Sequence, residues 1–225
     1  MNSTELIDGA VTPEVKEINS PCWLAWVSTV LWCQLFVVEY LVAGSWRGQY
    51  SYRDNYISEL GVMYCAGGSC SVSFPLLNLS MVLVGIGTAL WGVVLWRNPQ
   101  TRNCAVLLLV ASVGAVVCGA IPTNVNWPWH SGGADAFFMF APIAVLSLCV
   151  FDWRTLGPGR YVMLALSSAS VACLLVYLQG VKPSFGVGIL ERGIVYSALI
   201  AMVLGVWLTA HRWAPVARHR HESSQ

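Results

Sequence analysis

Six apolar runs, each about the length a helix needs to cross a hydrocarbon core of about 30 Å, divide this chain, and only short polar links separate them. In lipid a backbone must satisfy its own hydrogen bonds, so each run is expected to be a helix. The runs are placed at residues 23–45, 74–96, 104–122, 136–151, 161–179 and 189–211. Of the 225 residues 56% are hydrophobic and only 10% charged, outside the usual soluble composition, and the links are too short for a second domain to be expected. The expected fold class is all-α: a polytopic membrane protein with six transmembrane helices in one bundle. That bundle takes residues 21–212, between a polar tail at 1–20 without the basic start of a signal peptide and a basic tail at 213–225.

Basic residues set the expected orientation. Lys16, Arg97, Arg102, Arg154, Arg160, Arg212, Arg218 and Arg220 fall on one side, and Arg47, Arg53, Lys182 and Arg192 on the other. This eight-to-four bias puts both termini in the cytoplasm and the 52–73 link outside, in what is read as the plasma membrane. The basic tail would lie against anionic inner-leaflet lipid, and no nucleic-acid signal is present.

The link after the first run is unusually polar. Residues 52–78, YRDNYISELGVMYCAGGSCSVSFPLLN, hold Asn55, Ser58 and Glu59 at i, i+3, i+4 spacing, so a short helical turn capped by Asn55 and ended by Gly61 would gather them on one face. Cys65 and Cys70 alone have the look of a disulfide pair, which an outward-facing loop permits. Their spacing is not that of a CxxC motif and no second Cys/His pair accompanies them, so no metal is expected. The same side of the bundle receives Asn78, Trp127, Trp129, His130, Asp135, Glu191 and Arg192.

Four motifs carry a family resemblance: NYISELG, the helix-opening FPLLN, GAIPTNVNWPWHSGGA between the third and fourth runs, and GILERGIVY opening the last run. In this order the chain resembles, over about residues 50–210, the bacterial and archaeal six-helix membrane family known as domain of unknown function 998. The resemblance implies characteristic polar positions at Asn55, Ser58, Glu59, Asn78, Pro122, His130, Glu191 and Arg192. It does not extend to the CAGGSC segment. A fainter similarity, in the ISELG turn and the acidic residue opening the last helix, links the chain to the eukaryotic Frag1/DRAM/Sfk1 membrane proteins, some of which are associated with lipid-anchor remodelling or lipid distribution.

Glu59, His130 and Glu191 are the candidate catalytic residues, since carboxylates beside a histidine at a membrane boundary suit acid/base work. Asn55, Ser58, Asn78, Trp127, Trp129, Asp135 and Arg192 are candidate substrate-binding residues, with Arg192 gripping an anionic group. Each also has a bland role. Glu191 and Asp135 suit the start of a helix, with Glu191 pairing with Arg53 or Arg192, and His130 can donate to a helix-end carbonyl. A Ser58/His130/Asp135 hydrolytic set has suitable residue types but no strained nucleophile turn. With no GxGxxG or P-loop, no cofactor is expected, and apart from Glu39 the mid-run positions carry no charged residue. Three functions remain open: an enzyme acting on a lipid or isoprenoid at the outer interface, a lipid-binding or transport accessory without chemistry, and a structural partner whose polar cluster only holds helices together. The bilayer is the expected partner and a lipid or isoprenoid the candidate ligand; protein partners are left open.

Overall fold

A computed structural model describes residues 22–63, 70–180 and 182–210. The tails expected at 1–20 and 213–225 lie outside the described residues, as does Cys65 and with it the expected Cys65/Cys70 bridge. The long helices are α1 (Cys22–Gly44), α2 (Phe74–Trp96), α3 (Arg102–Ala120), α4 (Trp127–Phe151), α6 (Gly159–Leu178) and α7 (Val187–Ala210), with a single turn, α5 (Trp153–Leu156), between α4 and α6. Six helices have the length and apolar character to cross a membrane, so the chain is an integral membrane protein with an all-α bundle. Neighbours in sequence are neighbours in space: α1 packs on α2, α2 on α3, α3 on α4, α4 on α6 and α6 on α7, and α7 closes the ring against α1 and α4. The α1–α2 link, the α3–α4 link and the α6–α7 link all lie at one end, here termed the loop end.

The largest departure from expectation is the start of the fourth helix, at Trp127 rather than at 136. Asn126 caps it, its side chain accepting from the Trp129 N–H, and Pro128 occupies the first turn where no donor is needed. Two glycines that read as a loop signal are helical. Gly133 meets Gly114 of α3: a Cβ at Gly133 would lie 2.7 Å from the Gly114 carbonyl oxygen and 2.9 Å from the Cys118 amide nitrogen. The absent side chains let the two backbones touch, as small residues do between membrane helices. Trp127, Trp129, His130 and Asp135 are therefore helical residues, fixed in direction, and not link residues.

Between α1 and α2 the chain folds back over the loop end. Strands β1 (Trp46–Arg47) and β2 (Cys70–Ser71) pair antiparallel, Trp46 opposite Ser71, and close the base of the link. Ser58–Gly61 forms a 3-10 turn with Leu60 fully buried beneath it. Asn55 does not cap this turn. Its Oδ1 accepts from the Ser51 N–H at 2.9 Å, while its Nδ2 donates to Glu59 Oε2 at 2.6 Å. The expected i, i+4 contact thus exists within a different local geometry.

Arg192 holds this link to the helices. Its Nε donates to Glu39 Oε1 of α1 at 2.9 Å, and Nη2 lies 2.7 Å from the same oxygen. Nη1 donates to the carbonyl oxygens of Tyr52 (2.8 Å), Asn55 (2.9 Å) and Gly188 (2.9 Å), and Nη2 to the Tyr50 hydroxyl at 2.5 Å. Tyr196 donates to the other Glu39 oxygen at 2.5 Å. Tyr50 in turn donates to the Tyr56 carbonyl oxygen at 3.1 Å. Burial pushes the Tyr50 phenol well above its ordinary range, which keeps that donor in place. Glu39 and Arg192 are 1% and 7% exposed, so this is a desolvated pair with nearly every donor and acceptor matched.

Two predictions follow from these contacts. Glu39→Gln and Arg192→Met should each cost about 3–5 kcal/mol because either leaves a buried partner uncompensated, and the double variant should lose less than the sum; thermal unfolding of purified protein in detergent checks the cycle. Gly133→Ala should cost roughly 1–3 kcal/mol, since backbone atoms on α3 cannot step aside as a flexible side chain would, whereas alanine at Gly132, with nothing within 4 Å of an added Cβ, should be neutral by the same measurement.

Candidate functional site

At the loop end one face from each of several elements meets around a cavity of about 40 Å³. The turn contributes Ile57 and Ser58, α2 Leu77, Asn78 and Met81, and α3 Cys118. From α4 come Trp127, His130, Ser131, Ala134 and Phe138, whose i, i+3, i+4, i+7, i+11 spacing marks a single stripe. Tyr177 of α6 and Glu191 and Val195 of α7 complete it. The wall is mostly apolar, and its polar atoms come from a carboxyl, an imidazole, a thiol, two serines, an amide and a phenol. By volume it accommodates about three water-sized groups.

Local contacts fix these side chains. Asn78 donates from Nδ2 to the Gly61 carbonyl oxygen at 3.0 Å, and its Oδ1 lies so close over the Gly61 Cα that a Cβ there would collide with it. The turn is further tied to the α3–α4 link by the Met63 N–H, which donates to Asn124 Oδ1 at 3.0 Å. His130 does donate to a helix-end carbonyl: its Nδ1 lies 2.8 Å from the oxygen of Ile121, the residue ending α3. A carbonyl oxygen only accepts, so Nδ1 carries the hydrogen, and in the neutral ring Nε2 holds the lone pair. Cys118 Sγ lies 3.7 Å from that Nε2. His130 is 5% exposed, and Glu191 likewise.

Glu191 differs from expectation in its partner. Its Oε2 accepts from the Ile57 N–H, a bond that seats the turn over α7. It pairs with neither arginine: Arg192 faces Glu39, and Arg53 is exposed, 3.7 Å from Asp54 and donating to the Ser184 carbonyl oxygen at 2.5 Å. Successive helical residues point about 100° apart, which sends Glu191 into the cavity and Arg192 toward α1.

Among the expected catalytic residues, His130 and Glu191 line the cavity together. Glu59 is half-buried on the turn and faces Asn55. Ser58, Asn78 and Trp127 also line the cavity, whereas Asn55 and Arg192 belong to the contacts that seat the link. Trp129, 63% exposed, borders a shallow apolar groove between α3 and α4 instead. Asp135 is half-buried on α4 and does not line the cavity. Cys118 and Tyr177 went unmarked in the sequence, being a cysteine and a tyrosine in apolar runs where both usually serve packing. Among the described residues no three His, Cys, Asp or Glu side chains are grouped to share a metal ion.

Comparison with curated proteins and with solved structures gives no match. The expected similarity to Frag1/DRAM/Sfk1 proteins is thus not shown. A family match covers residues 30–208, nearly the whole bundle from the first helix to the last. The chain belongs to the family described as protein of unknown function (DUF998).

Proposed function

We propose that this membrane protein handles or modifies a lipid or isoprenoid at the outer face of the membrane, with the loop-end cavity as its site. The observation that carries the reading is the cavity's composition: a carboxyl and an imidazole share its lining with Leu77, Met81, Phe138 and Val195, which suits a molecule with one polar and one apolar end. Its place at the ends of the helices matches the depth at which a lipid's polar and apolar parts meet. The eight-to-four basic bias supports an outward-facing loop end and cytoplasmic termini.

In this reading His130 and Glu191 exchange protons with the ligand. The Ile121 carbonyl holds His130 in the tautomer whose Nε2 accepts, and the Ile57 N–H fixes the Glu191 carboxyl. Ser58 and Asn78 orient the polar end, and Phe138 and Val195 cover the first carbons of the chain. Glu59 acts at one remove: it holds Asn55, whose carbonyl oxygen Arg192 grips.

Lipid profiles of cells lacking the protein, complemented with each variant, test this. One lipid class should change on loss of the protein and return with the wild type. Glu191→Gln and His130→Asn should leave the unfolding temperature within a few degrees yet fail to restore it, because neither amide exchanges a proton in this range. Glu59→Gln, which still accepts from Asn55, should restore it. Full restoration by both cavity variants would remove the cavity from the function.

A further inference from the structure

Three acceptors line the cavity beside the hydroxyls of Ser131 and Tyr177. Glu191 brings a carboxylate, and His130, with Nδ1–H committed to Ile121, brings an accepting ring nitrogen shared with the weakly donating Cys118 thiol at 3.7 Å. Ser58 brings a hydroxyl. No cation is supplied from within: among the described residues no basic side chain forms an ion pair with Glu191, and the adjacent Arg192 is engaged by Glu39 and three carbonyls. A carboxyl only 5% exposed that accepts from one N–H is relieved by a proton or by a positive partner. Aromatic side chains share the lining. Phe138 and Tyr177 line the cavity with ring centroids 5.9 Å apart in an edge arrangement, and Trp127 stands at the rim, 58% exposed. Aromatic faces with a carboxylate form the combination that attracts an organic cation.

Size narrows the cation. A cavity of about 40 Å³ has room for a small group such as a nitrogen on a short carbon stem. Three acceptors also match the three N–H donors of an ammonium, which a quaternary nitrogen lacks.

We propose that the cavity receives a primary ammonium group on a short carbon stem, gripped by Glu191, His130 Nε2 and Ser58 Oγ. The group belongs either to a free amine or to an aminolipid head group, and the second source rests on the lipid reading above.

The test uses purified protein in uncharged detergent, with ethylammonium, tetramethylammonium or propanol added at millimolar concentration, the range in which so small a probe binds. Ethylammonium alone should raise the unfolding temperature. Glu191→Gln should abolish that rise and Glu59→Gln should keep it. Should Glu191→Gln fail to fold, Ser58→Ala carries the test, because loss of one charge-assisted hydrogen bond should weaken ethylammonium roughly tenfold. Nanodiscs separate the sources. If the head group is the ligand, phosphatidylethanolamine discs stabilise the protein over phosphatidylglycerol and phosphatidylcholine discs and erase the ethylammonium effect; if a free amine is, the effect is equal in all three. A propanol or tetramethylammonium effect as large as that of ethylammonium, no ethylammonium effect, or an undiminished one in both cavity variants overturns the ammonium site. None of these touches the lipid reading, which falls only if Glu191→Gln and His130→Asn restore the lipid profile.

Discussion

The guanidinium of Arg192 is the point on which the loop end depends. A buried arginine is tolerable only with its charge balanced and its N–H groups matched, and here Glu39, Tyr50 and three backbone carbonyls do both. The partners come from α1, from α7 itself and from the link between α1 and α2. Removing the arginine would therefore loosen a helix and a loop together. The second fastening is the Glu191 carboxyl on the Ile57 N–H, which sets the 3-10 turn over the cavity.

Two adjacent charged residues thus have opposite situations. Arg192 is saturated by its surroundings, and its surroundings are saturated by it; such a cluster holds shape. Glu191, about 100° around the helix, contributes one bond to the fold and presents its carboxyl to open space. A saturated polar cluster and a cavity with a carboxyl in its wall thus lie side by side. The α7 backbone that anchors the clamp is the same backbone that positions the cavity's carboxyl.

The helices were readable because lipid leaves a run of that length no alternative, and the polar ends were readable because charged groups in apolar runs are expensive. Partners were harder. Arg192 and Glu39 are 153 residues apart, and their contact depends on how α1 and α7 close the ring. Glu39 did stand out as an acid in an apolar run, yet nothing nearby named its partner. The start of α4 was missed for a related reason: Gly132 and Gly133 carry the local signature of a loop, and only contact with Gly114 on another helix explains a glycine inside a helix there. Cys118 entered the cavity by the same contact, since Gly133 rests against its amide.

Pro142 lies inside α4 and has no N–H. In a regular helix that missing hydrogen would reach the carbonyl oxygen four residues earlier, that of Phe138, which is the innermost α4 residue of the cavity wall. The helix is therefore already open at the turn where the cavity stops. Everything α4 gives to the cavity, from Trp127 to Phe138, lies on the loop-end side of that gap, and the opposite segment is packed in the bundle. Bending at that turn breaks no hydrogen bond donated by residue 142, so the cavity wall ends at a joint written into the chain.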